Sequence, residues 1–338
     1  MLKHSIFAVV FSIMLCLTAS SQAGLKINLI PAGGTGGTPP TNIRGGGDLG
    51  TIVRQAADYW ERIFPDTNQE WTLELTYGWA PISEGDSLSG QFTFGSAGGD
   101  PFRILSGKIE FNNSGGTLWF ADPHPGNNAA YADVAPSGGL YSLPSNPDGV
   151  FMNNGIWFVN PVNRDAVDRL DLLTIAMHEI GHGFGLLQDE GNYVGPFEVD
   201  VTSDVSPKYA GMTIYLDCIG IFEHIPRPAL MMPRNQDGIR QFPAVQDVLV
   251  VAEISVYQRP DFYSSLEIIV NGLHVPGQNG MLAKIQNSRA HRDAGNANAA
   301  RNLLNAFINQ VQSNPGGRLT EDQIDSLVSI AETQIAGM

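Results

Sequence analysis

The sequence lacks any long hydrophobic run beyond its first residues. The one apolar stretch near the start, 6–17, follows a basic beginning and precedes the small-residue stretch Ser21-Gln22-Ala23. It is shorter than the roughly 20 residues that a membrane-spanning helix needs, and its flanks are typical of a secretory signal. We therefore predict a signal peptide over residues 1–23, no membrane span, and an exported protein that is periplasmic or secreted to the extracellular space.

Cysteine is also scarce. Cys16 falls in the predicted signal peptide, which leaves Cys218 as the one cysteine of the mature chain. No intramolecular disulfide can form there, so the fold must depend on core packing, with or without a bound metal. With 43% hydrophobic residues among 338, the chain can bury a large core.

Basic residues are few relative to acidic ones. The sequence has 19 Lys and Arg against 34 Asp and Glu, and its formal charge is −15. Such a surface repels phosphate backbones. We therefore expect no nucleic-acid partner, whereas the composition carries no indication of the oligomeric state.

Hydrophobic patterning predicts an α+β domain over residues 24–260. A helix is predicted from Asp48, a suitable cap, to just before Pro65, because apolar residues recur there at helical spacing. Strands are predicted where alternating residues are bounded by Gly, Pro, Asn and Ser. They cover Leu25–Ile30, Trp71–Trp79, Gly107–Asn113, Gly116–Asp122 and Gly149–Asn160.

The second half of this domain contains another strong helical pattern. Apolar residues at steps of three and four predict a helix from about Asp168 to Leu187. Residues 188–233 show no periodicity, so we expect an irregular segment wrapped over the domain. A mostly apolar helix is predicted over residues 244–258, and it should pack beneath the preceding one.

The composition changes near residue 260, where glycine becomes rarer and Ala, Asn, Leu and Gln increase. One amphipathic stripe runs from Ala300 to Val311 and another from Ile324 to Ile335. Thr320 and Gln323 form a capping-box pattern before the second stripe. We predict a separate all-α helical bundle over residues 264–338.

The stretch AMHEIGHGFG, residues 176–185, contains two histidines four residues apart, with a glutamate beside the first. On a helix His178 and His182 share one face, so their imidazoles can converge on one ion, for which zinc is the expected metal. Glu179 can then take a proton from a water that the metal has acidified. Short matches of this kind also occur by chance, but the apolar helix and the exported chain favour a zinc site.

The pattern His178-Glu179-x-x-His182-x-x-Gly185 resembles the signature of metzincin zinc proteases, in which the glycine turns the chain toward a third ligand. The stretch ALMMP, residues 229–233, resembles the Met-turn of that family, with Met231 as its methionine. The resemblance implies a metzincin-like fold, a twisted mixed sheet with an active-site helix and a Met-turn. It also implies zinc-dependent cleavage of protein or peptide substrates.

The third ligand departs from the commonest metzincin pattern. Gln188 stands where most members have His or Asp, and Asp189 and Glu190 follow it. His224, seven residues before Met231, resembles the leishmanolysin-like arrangement, in which the third histidine shortly precedes the Met-turn. Since imidazole binds zinc better than a carboxamide does, we predict His224, with the residues 188–190 as alternatives. The predicted ligands are thus His178, His182 and His224.

Two further features of zinc proteases, a glutamate as third ligand and an edge strand that binds the substrate, have candidates in this sequence. A gluzincin would take its third ligand from a glutamate on a later helix, but the nearest one, Glu198, stands in a Gly/Pro-flanked, non-helical stretch. Metzincin-like proteases align an extended peptide along an edge strand above the zinc, and the predicted strands 116–122 and 149–160 are candidates. Their aromatic pairs, Trp119-Phe120 and Trp157-Phe158, would line side-chain pockets or belong to the core.

The tail resembles the small helical FIMAH domain of bacterial extracellular proteins, through residues 295–311 and 319–335. This implies an accessory module, which acts as a spacer, an interaction domain or a stabilising cap.

For the whole chain we expect an exported zinc endopeptidase with Glu179 as general base. The competing hypothesis is a surface-binding or adhesion protein on the same scaffold, with structural zinc or none, and Gln188 keeps that hypothesis open.

Overall fold

The computed structural model describes residues 24–338 except 67, 83–88, 100, 102, 137–154, 187–197, 220–221, 226–228, 233–234 and 315–316, and it leaves the side chains of 136, 215, 217–219 and 222–224 undescribed. The predicted signal peptide lies outside the described residues. Their fold is α+β, as predicted. No helix in this part of the chain is long and apolar enough to cross a membrane.

The elements follow one another in a mixed order, with strands dominating the first half and helices the last quarter. The helices are Leu49–Ile63 (α1), Leu172–His182 (α2), Val245–Ile254 (α3), Tyr263–Gly272 (α4), Gln278–Asp293 (α5), Ala297–Ser313 (α6) and Glu321–Gly337 (α7). The strands are Leu25–Pro31 (β1), Trp71–Ala80 (β2), Gly90–Gly98 (β3), Arg103–Asn112 (β4), Trp119–Phe120 (β5), Tyr131–Pro136 (β6), Ile156–Pro161 (β7), Leu170–Asp171 (β8), Glu198–Asp200 (β9), Thr213–Tyr215 (β10), Asp217–Ile219 (β11), Phe222–His224 (β12) and Arg240–Phe242 (β13).

The main sheet has the strand order β1-β2-β4-β3. Strands β1, β2 and β4 are parallel, whereas β3 is antiparallel to β4 and forms one edge. Along β2 the side chains of Trp71, Leu73 and Leu75 are buried while Thr72 and Glu74 are exposed, as expected for a strand with one covered face. A second sheet, with the order β13-β7-β6, is antiparallel.

Helix α1 matches its prediction. The Asp48 side chain accepts a hydrogen bond from the main-chain N–H of Thr51 at 2.8 Å and so caps the helix. Its apolar stripe is buried, and the indole of Trp60 donates to the carbonyl of Met177 at 3.0 Å. This bond ties α1 to α2, the helix that carries the histidines.

Helix α2 is shorter than predicted at both ends. It begins at Leu172, capped by Asp171, and it ends at His182 rather than at Leu187. Gly185 has a φ of +109°, a conformation that glycine adopts at little cost, so the chain leaves the helical path there. The apolar residues beyond His182 continue the core and not the helix, which is why periodicity alone extended it too far.

Several strands were absent from the sequence-based prediction. Strand β3 contains Gly90, Gly95 and Gly98 and lacks strict alternation, and β6 is a short segment between loops. The segment 188–233, predicted to be irregular, contains the short strands β9 to β12 in its described part. These strands form through pairing with partners that no local pattern indicates.

A buried ion-pair network fixes the start of α2. The guanidinium of Arg240, fully buried, donates to both carboxylate oxygens of Asp171 at 2.8 and 3.0 Å and to Asp122 at 2.8 Å. Asp171 also accepts from the main-chain N–H of Thr174 at 3.0 Å. The Asp171 carboxylate therefore caps α2 and binds it to Arg240 of β13. Arg240 in turn binds Asp122 in the loop after β5.

The tail helices α4 to α7 share a continuous hydrophobic cluster with the rest of the chain. The predicted capping box of Thr320 and Gln323 is confirmed, and the amide of Gln323 also donates to the carbonyl of Val134 in β6 at 3.0 Å. Gln334 of α7 accepts from the main-chain N–H of Phe262 at 2.7 Å. The predicted division into domains 24–260 and 264–338 stays a prediction.

Replacing Arg240 by methionine should cost about 3–5 kcal/mol of unfolding free energy, because two buried carboxylates lose their shared counter-ion. Denaturant unfolding measures this. The same change at the exposed Arg318 should cost less than about 0.5 kcal/mol. A loss at Arg240 no larger than the one at Arg318 would contradict this account of the network.

Candidate metal centre

The last two turns of α2 bring the predicted residues together in a buried position. His178, Glu179 and His182 are 6%, 5% and 2% exposed. The rings of the two histidines lie with their centroids 4.8 Å apart. Their spacing of four residues thus has the consequence expected from helix geometry.

The main chain sets the tautomer of both imidazoles. Nδ1 of His178 lies 2.9 Å from the carbonyl oxygen of Leu230, and Nδ1 of His182 lies 2.8 Å from that of Leu186. A carbonyl oxygen only accepts hydrogen bonds, so each Nδ1 must carry a proton. In the neutral rings both Nε2 atoms then hold lone pairs, and these two atoms lie 3.1 Å apart.

Two lone pairs at this distance repel each other, and a cation bound to both nitrogens would relieve the repulsion. Burial lowers the pKa of His178 to about 4, so a proton is a poor candidate at neutral pH. Two nitrogens bound to a tetrahedral zinc at about 2.0–2.1 Å would lie roughly 3.3 Å apart, close to the observed distance. The pair of histidines therefore fits a divalent metal.

A turn formed by Ala229–Met232, here the Met231 turn, packs under α2. Met231 is fully buried, and a Cβ added at Gly181 would lie 2.3 Å from its sulfur. Glycine at position 181 is thus what allows the methionine to approach the helix beside His182. The carbonyl of Leu230 in the same turn receives the Nδ1 proton of His178.

Asp247 holds the Met231 turn in place from α3. Its carboxylate accepts main-chain N–H groups from Leu230 at 2.9 Å, Met231 at 3.0 Å and Ala244 at 2.6 Å. Burial raises the pKa of Asp247 to about 6, although the three N–H donors oppose this shift. A continuous set of contacts therefore links α3 to the ring of His178. The sequence analysis did not identify Asp247 as part of the site.

The predicted third ligand is only partly within the described structure. The backbone of His224 ends β12, opposite Asp217, and the next residue, Ile225, donates its N–H to the carbonyl of Met231 at 2.9 Å. The His224 side chain and the alternatives at 188–190 lie outside the described residues. Among the described side chains, no group of three or more His, Cys, Asp and Glu could hold a metal.

The gluzincin alternative gains no support. Glu198 is described, and it is exposed on β9. Its position on a short strand agrees with the sequence-based expectation that it does not lie on a helix. It is therefore a poor candidate for a buried metal site.

Glu179 lies between the face of α2 that carries the two histidines and β3, an edge strand of the main sheet. A Cβ added at Gly90, the first residue of β3, would lie 2.8 Å from its Oε1 atom. Burial raises the pKa of Glu179 to about 8. Without a nearby cation the carboxyl is protonated at neutral pH, and a bound metal would favour its ionised form.

The strand beside the two histidines is β3, which the sequence did not predict, and the candidates 116–122 and 149–160, the latter described only from residue 155, stay predictions. Strand β7 lies between β13 and β6 in the second sheet, and β5 pairs with β8. The aromatic residues of these strands are core residues in three cases, Trp119, Phe120 and Phe158, whereas Trp157 is partly exposed. The sequence-based prediction missed β3, so β3 was not among its candidates.

Comparisons of the chain with protein-family models, with curated proteins and with solved structures find no match. Functional inference therefore depends on the residues themselves.

The stability of the metal-free protein should fall between pH 5 and pH 8 through Glu179. Its folded pKa of about 8 exceeds the usual 4.5, so the folded state binds the proton more tightly and this contribution is lost as the pH rises. Glu179→Gln removes the titration. Its advantage over wild type, measured by urea unfolding in chelator, should be small at pH 5 and roughly 2–5 kcal/mol at pH 8.

Glu321→Gln, at an exposed position of α7, provides the matched control. The difference between its unfolding free energy and that of wild type should not increase from pH 5 to pH 8. An equal advantage of Glu179→Gln at both pH values would mean that the carboxyl titrates normally.

Proposed function

We propose that this protein is an exported, zinc-dependent endopeptidase that hydrolyses peptide bonds, with Glu179 as general base. The observation that carries the proposal is the pair of Nε2 atoms of His178 and His182, which face each other at 3.1 Å while both Nδ1 atoms donate to carbonyls. A divalent metal bound to both nitrogens would satisfy their lone pairs. The adjacent buried carboxyl supplies the group needed for proton transfer.

The proposed zinc ligands are His178, His182 and His224. The hydrogen bond between Ile225 and Met231 supports His224, because it brings the neighbouring backbone to the turn that also holds His178. A third imidazole would complete a three-ligand set with one open position, as catalytic zinc sites require. Met231 would be the methionine of a Met-turn in a metzincin-like fold.

When bound, zinc supplies a Lewis acid that polarises the scissile carbonyl and makes a water acidic at neutral pH. Glu179 accepts the proton of the attacking water and delivers it to the leaving amine. Its buried position beside both histidines lets the same carboxyl serve both steps. The main-chain carbonyls of Leu230 and Leu186 keep the two rings oriented during the cycle.

Strand β3 is the proposed platform for the peptide substrate. Among the described residues it pairs only with β4, so its other edge can bind an extended chain through main-chain hydrogen bonds. The contact of Gly90 with Glu179 puts the beginning of this edge beside the catalytic carboxyl. Protein or peptide substrates follow from this arrangement, with residues 264–338 as a FIMAH-like accessory module and residues 1–23 as the export signal.

Replacing Glu179 by alanine should lower kcat/KM for peptide hydrolysis by about 10²–10⁴-fold while the protein keeps its zinc. Hydrolysis of unfolded casein, with and without chelator, and metal analysis of the purified protein measure both effects. Glu321→Ala should leave both unchanged. Activity of Glu179→Ala within a few-fold of wild type rejects the assigned base, and zinc-loaded wild type without hydrolysis favours the adhesion hypothesis.

Replacing His224 by alanine should remove bound zinc, because two imidazoles alone hold it far more weakly than three. His274→Ala, in the tail, is the matched control and should retain the metal, as should Gln188→Ala. Zinc content after dialysis against a weak chelator gives the result. If His224→Ala retains all of its zinc and a change of Asp189 or Glu190 removes the zinc, that acidic residue and not His224 is the third ligand.

A further inference from the structure

Gln241 has an unusual environment for a polar side chain. It lies in β13, it is fully buried, and neither its Nε2 nor its Oε1 atom has a hydrogen-bond partner among the described residues. An amide buried without partners is unfavourable by about 1–3 kcal/mol or more. The side chain is thus complementary to a polar group that the described residues do not supply.

Trp157 lies directly beside Gln241. The two residues are register partners on neighbouring antiparallel strands. The N–H of Gln241 points away from β7, to the hydroxyl of Thr174 at 2.9 Å, so the two form a non-hydrogen-bonded pair, in which side chains approach most closely. The indole N–H of Trp157 is also buried without a partner.

This pair of residues lies close to the candidate metal centre. Thr174, which binds the main chain of Gln241, is itself held by Asp171 through a hydrogen bond of 2.9 Å. Thr174 precedes His178 by four residues on α2, so it lies about 6 Å along the helix from this ligand and on the same face. The main chain of Gln241 therefore lies about one helical turn from His178, on the face of α2 that carries both histidines.

We propose that Gln241 and Trp157 form a specificity subsite that selects peptides with a carboxamide side chain, Gln or Asn, next to the scissile bond. This inference rests on the proposed endopeptidase function and adds the substrate class. The chemistry of the three atoms carries it: the indole N–H and the amide N–H donate, and the amide oxygen accepts. A ligand carboxamide provides both the acceptor and the donor that they require.

Other side chains satisfy these atoms less completely. An aliphatic side chain leaves all of them unpaired in a dry environment, which sites built for hydrogen bonding reject strongly. A carboxylate accepts from both N–H groups but offers no donor to Oε1 of Gln241. The subsite should therefore rank carboxamides above carboxylates and both above aliphatic residues of similar size.

The test uses the full-length zinc-loaded protein and a peptide library randomised around the cleavage point, read by mass spectrometry. At one flanking position wild type should prefer Gln or Asn over Met by about tenfold or more in kcat/KM. Gln241→Met, which keeps roughly the volume of the side chain, should lose that preference, so that its kcat/KM values for the Gln and Met peptides become similar. Gln310→Met, on α6 of the tail, should keep it.

A second measurement separates this inference from the proposed function. In the Glu179→Gln variant, calorimetry should show tighter binding of the Gln peptide than of its Met counterpart, and adding Gln241→Met should abolish the difference. Absence of all hydrolysis by wild type would refute the endopeptidase, but the binding comparison would still decide the subsite. Equal binding of the two peptides, or a library preference that is unchanged in Gln241→Met, overturns the subsite.

Unfolding of Gln241→Met provides the folding control. Because the variant removes an unpaired buried amide, its melting temperature should equal or exceed that of wild type. A large decrease would show that Gln241 has an internal role, and this result would also overturn the proposal.

Discussion

The arrangement of the site depends on two protons. His178 and His182 each give an Nδ1 proton to a main-chain carbonyl, so their Nε2 lone pairs must face each other in a buried position. The close approach of these lone pairs is unfavourable by itself, so the surrounding fold has to keep the two rings in position. The Arg240 network fixes the start of α2, Gly185 lets the chain leave it, and Asp247 fixes the turn that receives one of the protons.

Burial shifts the pKa values of the histidine and the two carboxyl groups of the site in different ways. Desolvation lowers the pKa of His178 and raises that of Glu179, so the imidazole stays neutral and able to bind a metal while the carboxyl retains a proton. Asp247 is equally buried, but its N–H donors favour the ionised form and keep its pKa lower, at about 6. One buried carboxyl is thus suited to proton transfer and the other to holding the backbone.

Local pattern was enough to predict the features that depend on neighbours in sequence. The cap at Asp48, the box of Thr320 and Gln323, and the shared face of His178 and His182 all follow from helical periodicity. The end of α2 did not, because the apolar residues after His182 serve the core in a non-helical conformation. Nor could the positions of Asp247, Gln241 and β3 beside the site be inferred, since each depends on contacts between distant segments.

The shared core of the tail has a consequence for the stability of the fold. Helix α7 meets Phe262 and β6 through Gln334 and Gln323, and α4 packs against Phe158 at Gly272. A chain interrupted before these helices exposes apolar surface on α1 and on the second sheet. The tail helices therefore cover apolar surface of the preceding elements, and their packing contributes to the stability of the fold that holds the two histidines.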